Sequence, residues 1–181
     1  QLINLFDIYG MEVFDVELMP AQGGSIRVYT SFKGKFTISD SVKKVLHNEE
    51  EKNLHSLDTW KTFARNVAEN KEKLCSILSE IKSQNKNIVG ISAPGRSTTV
   101  LNFCNINSDT LDYITEKSDL KIGKYTPGTH ILVEDDEKLV TEQPDYGLLL
   151  SWHLADSIIP KIRKNGYKGK IIVNLPEPKI L

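Results

Sequence analysis

Three short segments of the chain hold the residue types best suited to chemistry. The first, Ala93-Pro94-Gly95-Arg96-Ser97-Thr98-Thr99, is small and hydroxylic and leads from an apolar run into a helical one. Such a turn can receive phosphate: amides at a helix start point outward, the dipole adds partial positive charge, and Arg96 offers a two-pronged donor. The same residues also suit an ordinary strand-to-helix turn with Ser97 as its cap, and the spacing is neither a Walker loop nor a GxGxxG fingerprint. The second segment is Trp152-His153. Trp152 can stack on a planar group or fill a core, and His153 is a lone histidine with no evident carboxylate partner. The third is the stretch Glu116 to Thr129 with His130, carrying Lys117, Lys121, Lys124 and Tyr125. Its lysines can complement a diphosphate, although most surface lysines are only solvated, the reading favoured for Lys117 and Lys124. Glu134 to Glu137 reads as negative charge at a helix start, not as paired acid–base machinery.

Elements must place these segments together. The first part, with Leu2, Ile3, Leu5, Phe6 and Ile8, reads as the end of a helix that stops at Gly10, Met11 to Met19 and Ser25 to Phe32 read as strands, and Gln22-Gly23-Gly24 as the turn between them. A lone hairpin is marginal in water, so this part is expected to belong to the sheet of a preceding domain. Ser39 and Asp40 start a connector helix that runs to Lys52. Leu57 to Gln84 is the clearest helix, with Trp60, Ala64, Val67, Leu74, Leu78 and Ile81 on one packing stripe. Short apolar runs then alternate with helical segments, the mark of a parallel sheet. Strands are expected at Asn87 to Ser92, Leu111 to Thr115, Ile131 to Val133, Tyr146 to Ser151 and Lys170 to Leu175. Helices are expected at Thr98 to Cys104, Asp135 to Gln143 and Ala155 to Asn165, and only the crossover Glu116 to Thr129 lacks one. The fold class is thus α/β: a Rossmann-like, mostly parallel five-stranded sheet with helices on both faces, preceded by a β-hairpin and a long helix. In such a sheet ligands settle at the carboxyl ends of the strands where strand order reverses, which brings the Arg96 turn and Trp152 together.

With 181 residues, 39% hydrophobic and 26% charged, the chain suits one well-cored domain and an attached element. The balance of 23 basic and 24 acidic residues removes the electrostatic case for nucleic acid or a membrane surface. Tyr146 to Ala155 is about half the length that spans a bilayer. Cys75 and Cys104 suit a reduced, cytoplasmic setting, and the four histidines and two cysteines show no zinc spacing, so no metal is expected. The start at Gln1, in what reads as a helix already under way, suggests a piece of a longer protein.

Seven ordered segments resemble the sugar (nucleotide-sugar) C-methyltransferase family. Gly10-Met11-Glu12-Val13-Phe14-Asp15-Val16 and Gly23-Gly24-Ser25-Ile26-Arg27-Val28-Tyr29 resemble the end of its methyl-donor domain. Ala93 to Phe103, Lys121 to Ile131, and then Pro144-Asp145-Tyr146, Ser151-Trp152-His153 and Leu175-Pro176-Glu177-Pro178 follow in the family's order. Arg96-Ser97 stands where many members have lysine and glycine, and His153 where many have asparagine. Arginine keeps the charge.

The resemblance implies a three-part enzyme: a zinc module, an S-adenosylmethionine domain and a Rossmann-like carboxyl-terminal domain. It implies methyl transfer to a sugar carbon beside a ketone through an enolate. The general-base His-Glu-His-like motif and the donor glycine loop would precede Gln1, so S-adenosylmethionine would bind outside this chain and the chain alone would be inactive. Residues 1–36 then read as the tail of the methyl-donor domain, 37–86 as connector and long helix, and 87–181 as the acceptor-binding domain. No residue here is assigned a catalytic role. Substrate binding is expected at Pro94, Gly95, Arg96, Ser97, Thr98, Thr99, Lys121, Tyr125, His130, Trp152 and His153, with Arg27 facing the acceptor. The expected partners are a nucleotide-sugar acceptor, the missing amino-terminal domains and a second copy in a homodimer. Two other readings stay open: a structural or dimerisation module without ligand, and a NAD- or nucleotide-binding Rossmann domain, for which Glu116 is the nearest ribose-binding acid.

Overall fold

A computed structural model describes all 181 residues. Contacts divide the chain into two units, residues 1–65 and 66–181, with the boundary inside one long helix. The first unit opens with helix α1 (Leu2–Ile8) and a hairpin of β1 (Met11–Met19) and β2 (Ser25–Phe32), followed by helix α2 (Asp40–Glu51). The hairpin pairs antiparallel from Met11 opposite Phe32 to Met19 opposite Ser25. Its turn is built on Gln22, Gly23 and Gly24, all at positive φ. The ladder shifts between Val13 and Asp15, and Asp15 ties strand to helix: its carboxylate accepts from Ser39 Oγ at 2.7 Å and Ser41 Oγ at 2.6 Å. Those two hydroxyls, and then the Val16 amide, hold the Asp15 carboxyl below its ordinary range. This sheet has two strands only. Its apolar face, with Val13, Val16 and Val28, borders a hollow of about 340 Å3 that Leu2, Val42 and Leu46 also line.

The long helix α3 (Leu57–Ser83) leads into the second unit, which holds β3 (Ile88–Ile91), α4 (Ser97–Phe103), β4 (Ile114–Glu116) and β5 (Val133–Asp135). Then come α5 (Glu137–Thr141), β6 (Tyr146–Leu149), α6 (Ala155–Lys164), β7 (Lys170–Val173) and β8 (Lys179–Ile180). The sheet order is β5-β4-β3-β6-β7-β8. Every pair is parallel except β7 with β8. Parallel strands are covered on both faces and therefore read as unbroken apolar runs; Ile88, Val89, Gly90 and Ile91 are all buried. Leu74, Leu78 and Leu101 from α3 and α4 pack with Ile88, Leu148 and Ile172 on one face. On the other, Leu139 of α5 and Ile158 and Ile162 of α6 pack with Val89, Leu149 and Ile171. Gly147 permits the close approach of β6 to β3, because a Cβ there would collide with the Ile91 side chain.

The expected doubly wound sheet is present, with three differences. A sixth strand, β8, pairs antiparallel on the edge; it is two residues long and set off by Pro176 and Pro178, which hide it from any periodicity. The strands β4 and β5 begin at Ile114 and Val133, later than the apolar runs from Leu111 and Ile131 suggest. The packing stripe of α3 is buried only at Leu74, Leu78 and Ile81, whereas Trp60 is 52% and Val67 37% exposed. The stripe also continues onto exposed Leu57 and Phe63. No helix is long and apolar enough to cross a membrane.

Candidate functional site

Strand order reverses between β3 and β6: the chain moves outward through β4 and β5 on one side and β7 on the other. These two strands are direct neighbours, in register from Ile88 opposite Tyr146 to Ile91 opposite Leu149. Past the ladder the Leu150 amide still donates to Ile91 O at 3.0 Å, and the Ser92 and Ser151 hydroxyls lie 2.8 Å apart. The Arg96 turn and Trp152-His153 therefore leave the sheet side by side. Ser92 has φ 70°, a left-handed backbone uncommon for serine and of the kind that gathers at binding sites.

The turn itself differs from expectation. Ser97 is buried and forms the first residue of α4, not its cap; its hydroxyl donates to Pro94 O at 2.7 Å. The amides of Ser97, Thr98 and Thr99 donate back to Pro94, Gly95 and Arg96 carbonyls at 2.9, 3.3 and 3.3 Å. The helix start thus closes on itself, leaving Arg96 as the turn's charged group. Thr98 is half-buried and Thr99 exposed, like Gly95.

Two ties fix this turn to the β4–β5 crossover. Glu116, at the end of β4, accepts from the Ala93 amide at 3.1 Å, Lys121 Nζ at 3.0 Å and the Lys117 amide at 2.9 Å. Burial would raise its pKa, but these donors together outweigh that and hold it below the ordinary range. Lys121 also donates to Ala93 O at 2.9 Å. Its ammonium is thereby a staple across the turn, and the acid where a Rossmann domain holds ribose is already engaged. The second tie is Asn102 of α4, whose Nδ2 donates to Pro127 O at 3.1 Å. Gly128, at φ 80°, sits against that amide so closely that a Cβ would strike it. Thr126 and Thr129 are buried with hydroxyls 2.8 Å apart. His130 next to them has φ 52° and is exposed, and Tyr125 is 62% exposed, in a bridge with Leu132. The crossover has no helix, as expected.

Trp152 packs beside the α6-side core, with its ring 5.8 Å from that of His153 and edge-on to it. His153 Nδ1 is buried without a hydrogen-bond partner. Burial, and next the charge of Arg96, hold its pKa below the ordinary value, so Arg96 and His153 sense each other as the fold class implies. At the end of the next strand, β7, Asn174 is 1% exposed, and both polar atoms of its side chain are likewise buried and unpartnered. Sequence reasoning missed Asn174, although a signal exists: it is the first polar residue after the buried run Ile171-Ile172-Val173, at the edge of the sheet where ligands bind. Arg27 lies on β2 in the first unit, where its guanidinium donates to Glu17 at 3.2 Å. The carboxylates after β5 serve local ends: Glu134 pairs with Lys138 at 3.1 Å and Asp136 with Lys117 at 3.4 Å. No group of histidine, cysteine and carboxylate side chains could hold a metal ion.

The fold and this edge define a doubly wound α/β module whose switch point lies between β3 and β6. Residues 20–176 match the C-methyltransferase C-terminal domain family, and the chain belongs to it. It is similar to the C-methyltransferase NovU of Streptomyces niveus, 27% identical over 184 residues that cover 99% of this chain and 43% of that protein. The chain thus spans less than half the length of that relative.

Proposed function

We propose that this chain is the acceptor-binding part of an S-adenosylmethionine-dependent C-methyltransferase that acts on a nucleotide-linked ketosugar. The observation that carries this reading is the pairing at the switch point: Arg96 in a turn stapled by Glu116 and Lys121, next to His153, whose buried Nδ1 lacks a partner. A guanidinium there can hold a diphosphate through charge-assisted bonds. A buried polar atom without a partner is costly unless a ligand or water completes it, and Nδ1 and the Asn174 amide stand ready to be completed. The residues present do not fit the methyl donor: the turn after β3 has no glycine spacing and Glu116 is occupied by Lys121. S-adenosylmethionine then belongs to residues outside this chain, and with it the proton abstraction and the methyl transfer. The two-stranded sheet of residues 1–36, with an apolar hollow on its face, supports its reading as the end of the methyl-donor domain.

Binding calorimetry tests the proposal. The chain is expected to bind dTDP-, GDP- or CDP-sugars, and Arg96→Ala to weaken the preferred one about tenfold, on the order of 1.4 kcal/mol. Absence of binding to all three would remove the diphosphate assignment.

A further inference from the structure

The chain has two cysteines, Cys75 on α3 and Cys104 at the end of α4, and neither takes part in the site described above. The fold nevertheless brings them into contact across 29 positions of chain: Cys75 Sγ donates to Cys104 O at 3.5 Å. Both backbones are fixed. Leu74 and Leu78, on either side of Cys75, are buried in the core cluster that also contains Cys104. The Cys104 amide closes α4 onto Val100 O at 2.9 Å, and the Ile106 amide returns to Leu101 O at 2.8 Å. The movement that joins the sulfurs is rotation of the Cys75 side chain from the carbonyl to the thiol of the same residue. The two thiols differ in access, for Cys75 is half-buried whereas Cys104 is 8% exposed. Lys71 stands one turn before Cys75 on the same face of α3, its Nζ 4.9 Å from the centre of the Phe103 ring. Burial, and then the neighbouring Cys75, push the Cys104 thiol up to about 11, while the Lys71 charge draws it back. An oxidant therefore reaches Cys75 first and finds Cys104 in reserve behind it.

We infer that Cys75 and Cys104 are a redox-sensitive dithiol, which a small disulfide such as oxidised glutathione closes into an internal bond between α3 and the end of α4. The thiolate of Cys75 attacks one sulfur of the small disulfide, breaking its S–S bond and releasing one glutathione thiolate. Cys104 then gives up its proton and attacks Cys75 Sγ, which forms the internal bond and releases the second glutathione thiolate. Two protein thiols are oxidised, one glutathione disulfide is reduced to two thiols, and the two protons pass to the departing thiolates. A cysteine pair in a core is often packing and no more. This pair departs from that role because one member is open to solvent and its S–H is aimed at the other residue. The closed ring would enclose β3 and the whole Arg96 turn. Closing it takes freedom from the unfolded chain in the segment that carries the turn, and so stabilises the folded one. The inference is independent of the acceptor-binding reading, and the failure of either leaves the other standing.

The experiment incubates the whole native chain with oxidised glutathione, quenches with acid, and reads intact mass and a peptide map, with urea midpoints of the oxidised and the dithiothreitol-reduced chain alongside. The expected product is a monomer lighter by two hydrogens, in which Cys75 and Cys104 share one bond. Its urea midpoint is expected to rise by about 1 M and to return on treatment with dithiothreitol. In Cys104→Ser the reaction is expected to stop with one glutathione on Cys75, whereas Cys75→Ser takes up glutathione roughly tenfold more slowly. Should Cys104→Ser fail to fold, the peptide map of the unsubstituted chain decides alone. The inference is overturned by a native chain that does not react or that accumulates glutathione on Cys75 without closing. It is equally overturned by a bond that joins two chains, by one that forms only after urea has unfolded the protein, or by an oxidised chain whose midpoint is unchanged.

Discussion

His153 and Arg96 carry the account at the scale of single residues. The His153 pKa lies below the ordinary 6.5 because burial and then the Arg96 charge disfavour its cation. The folded state therefore keeps it neutral at pH values where the unfolded chain takes up a proton. Its contribution to stability is complete above about pH 6.5 and is lost as pH falls through the lowered folded value. His153→Gln is expected to flatten that loss, as read from urea midpoints between pH 7 and pH 5. A diphosphate bound to Arg96 would offset the charge, so the His153 pKa is expected to rise when nucleoside diphosphate is added, measured by its ring proton shifts. An unchanged value would separate His153 from the site. Cys104 provides a contrast. Burial, and then the neighbouring Cys75, push its thiol up to about 11, leaving roughly one molecule in a thousand as thiolate at pH 8. It is expected to resist iodoacetamide in the native chain and to react once the chain is unfolded.

Among the elements, the β4–β5 crossover governs how firmly the site is built. Gly128 combines a positive φ with the Asn102 amide at its α-carbon, so Gly128→Ala meets both a backbone penalty and a collision. A loss of about 1–3 kcal/mol is expected from denaturant unfolding. A change within about 0.5 kcal/mol would mean that the crossover is not pinned to α4. The elements also show what sequence can and cannot reveal. The hairpin was legible to the residue, Met11–Met19 and Ser25–Phe32, because alternation fixes its faces and Gln22-Gly23-Gly24 admits only a turn. The strands β4 and β5 were legible in kind but not in bounds: Leu111 and Ile131 are fully buried yet precede the ladder, which begins with Ile114 opposite Val133. Apolar character reports burial, whereas a strand is defined by its partner. The α3 stripe illustrates the same point, since its heptad spacing continues to Trp60 and Leu57 while its buried residues begin at Leu74.

At the scale of the whole molecule, the alternation of βα segments pointed to a doubly wound sheet of the usual strand order, to which the structure adds the edge strand β8. It also placed the Arg96 turn beside Trp152-His153. The staple of Glu116, Lys121 and Ala93 was not legible, nor were the orphaned atoms of Asn174, since each depends on which chain ends the sheet brings together. A formal charge of −1 leaves no field over the whole surface to draw in an anion, so any affinity for a sugar nucleotide must arise locally at the carboxyl edge of the sheet. An amide-resolved NMR titration of the chain with its preferred nucleoside diphosphate examines this directly. The largest shift changes are expected on Ser92 to Thr98, Ser151 to His153 and Asn174. Changes confined to the opposite edge, around Asn87, Asp145 and Lys170, or scattered over the surface lysines, would contradict it.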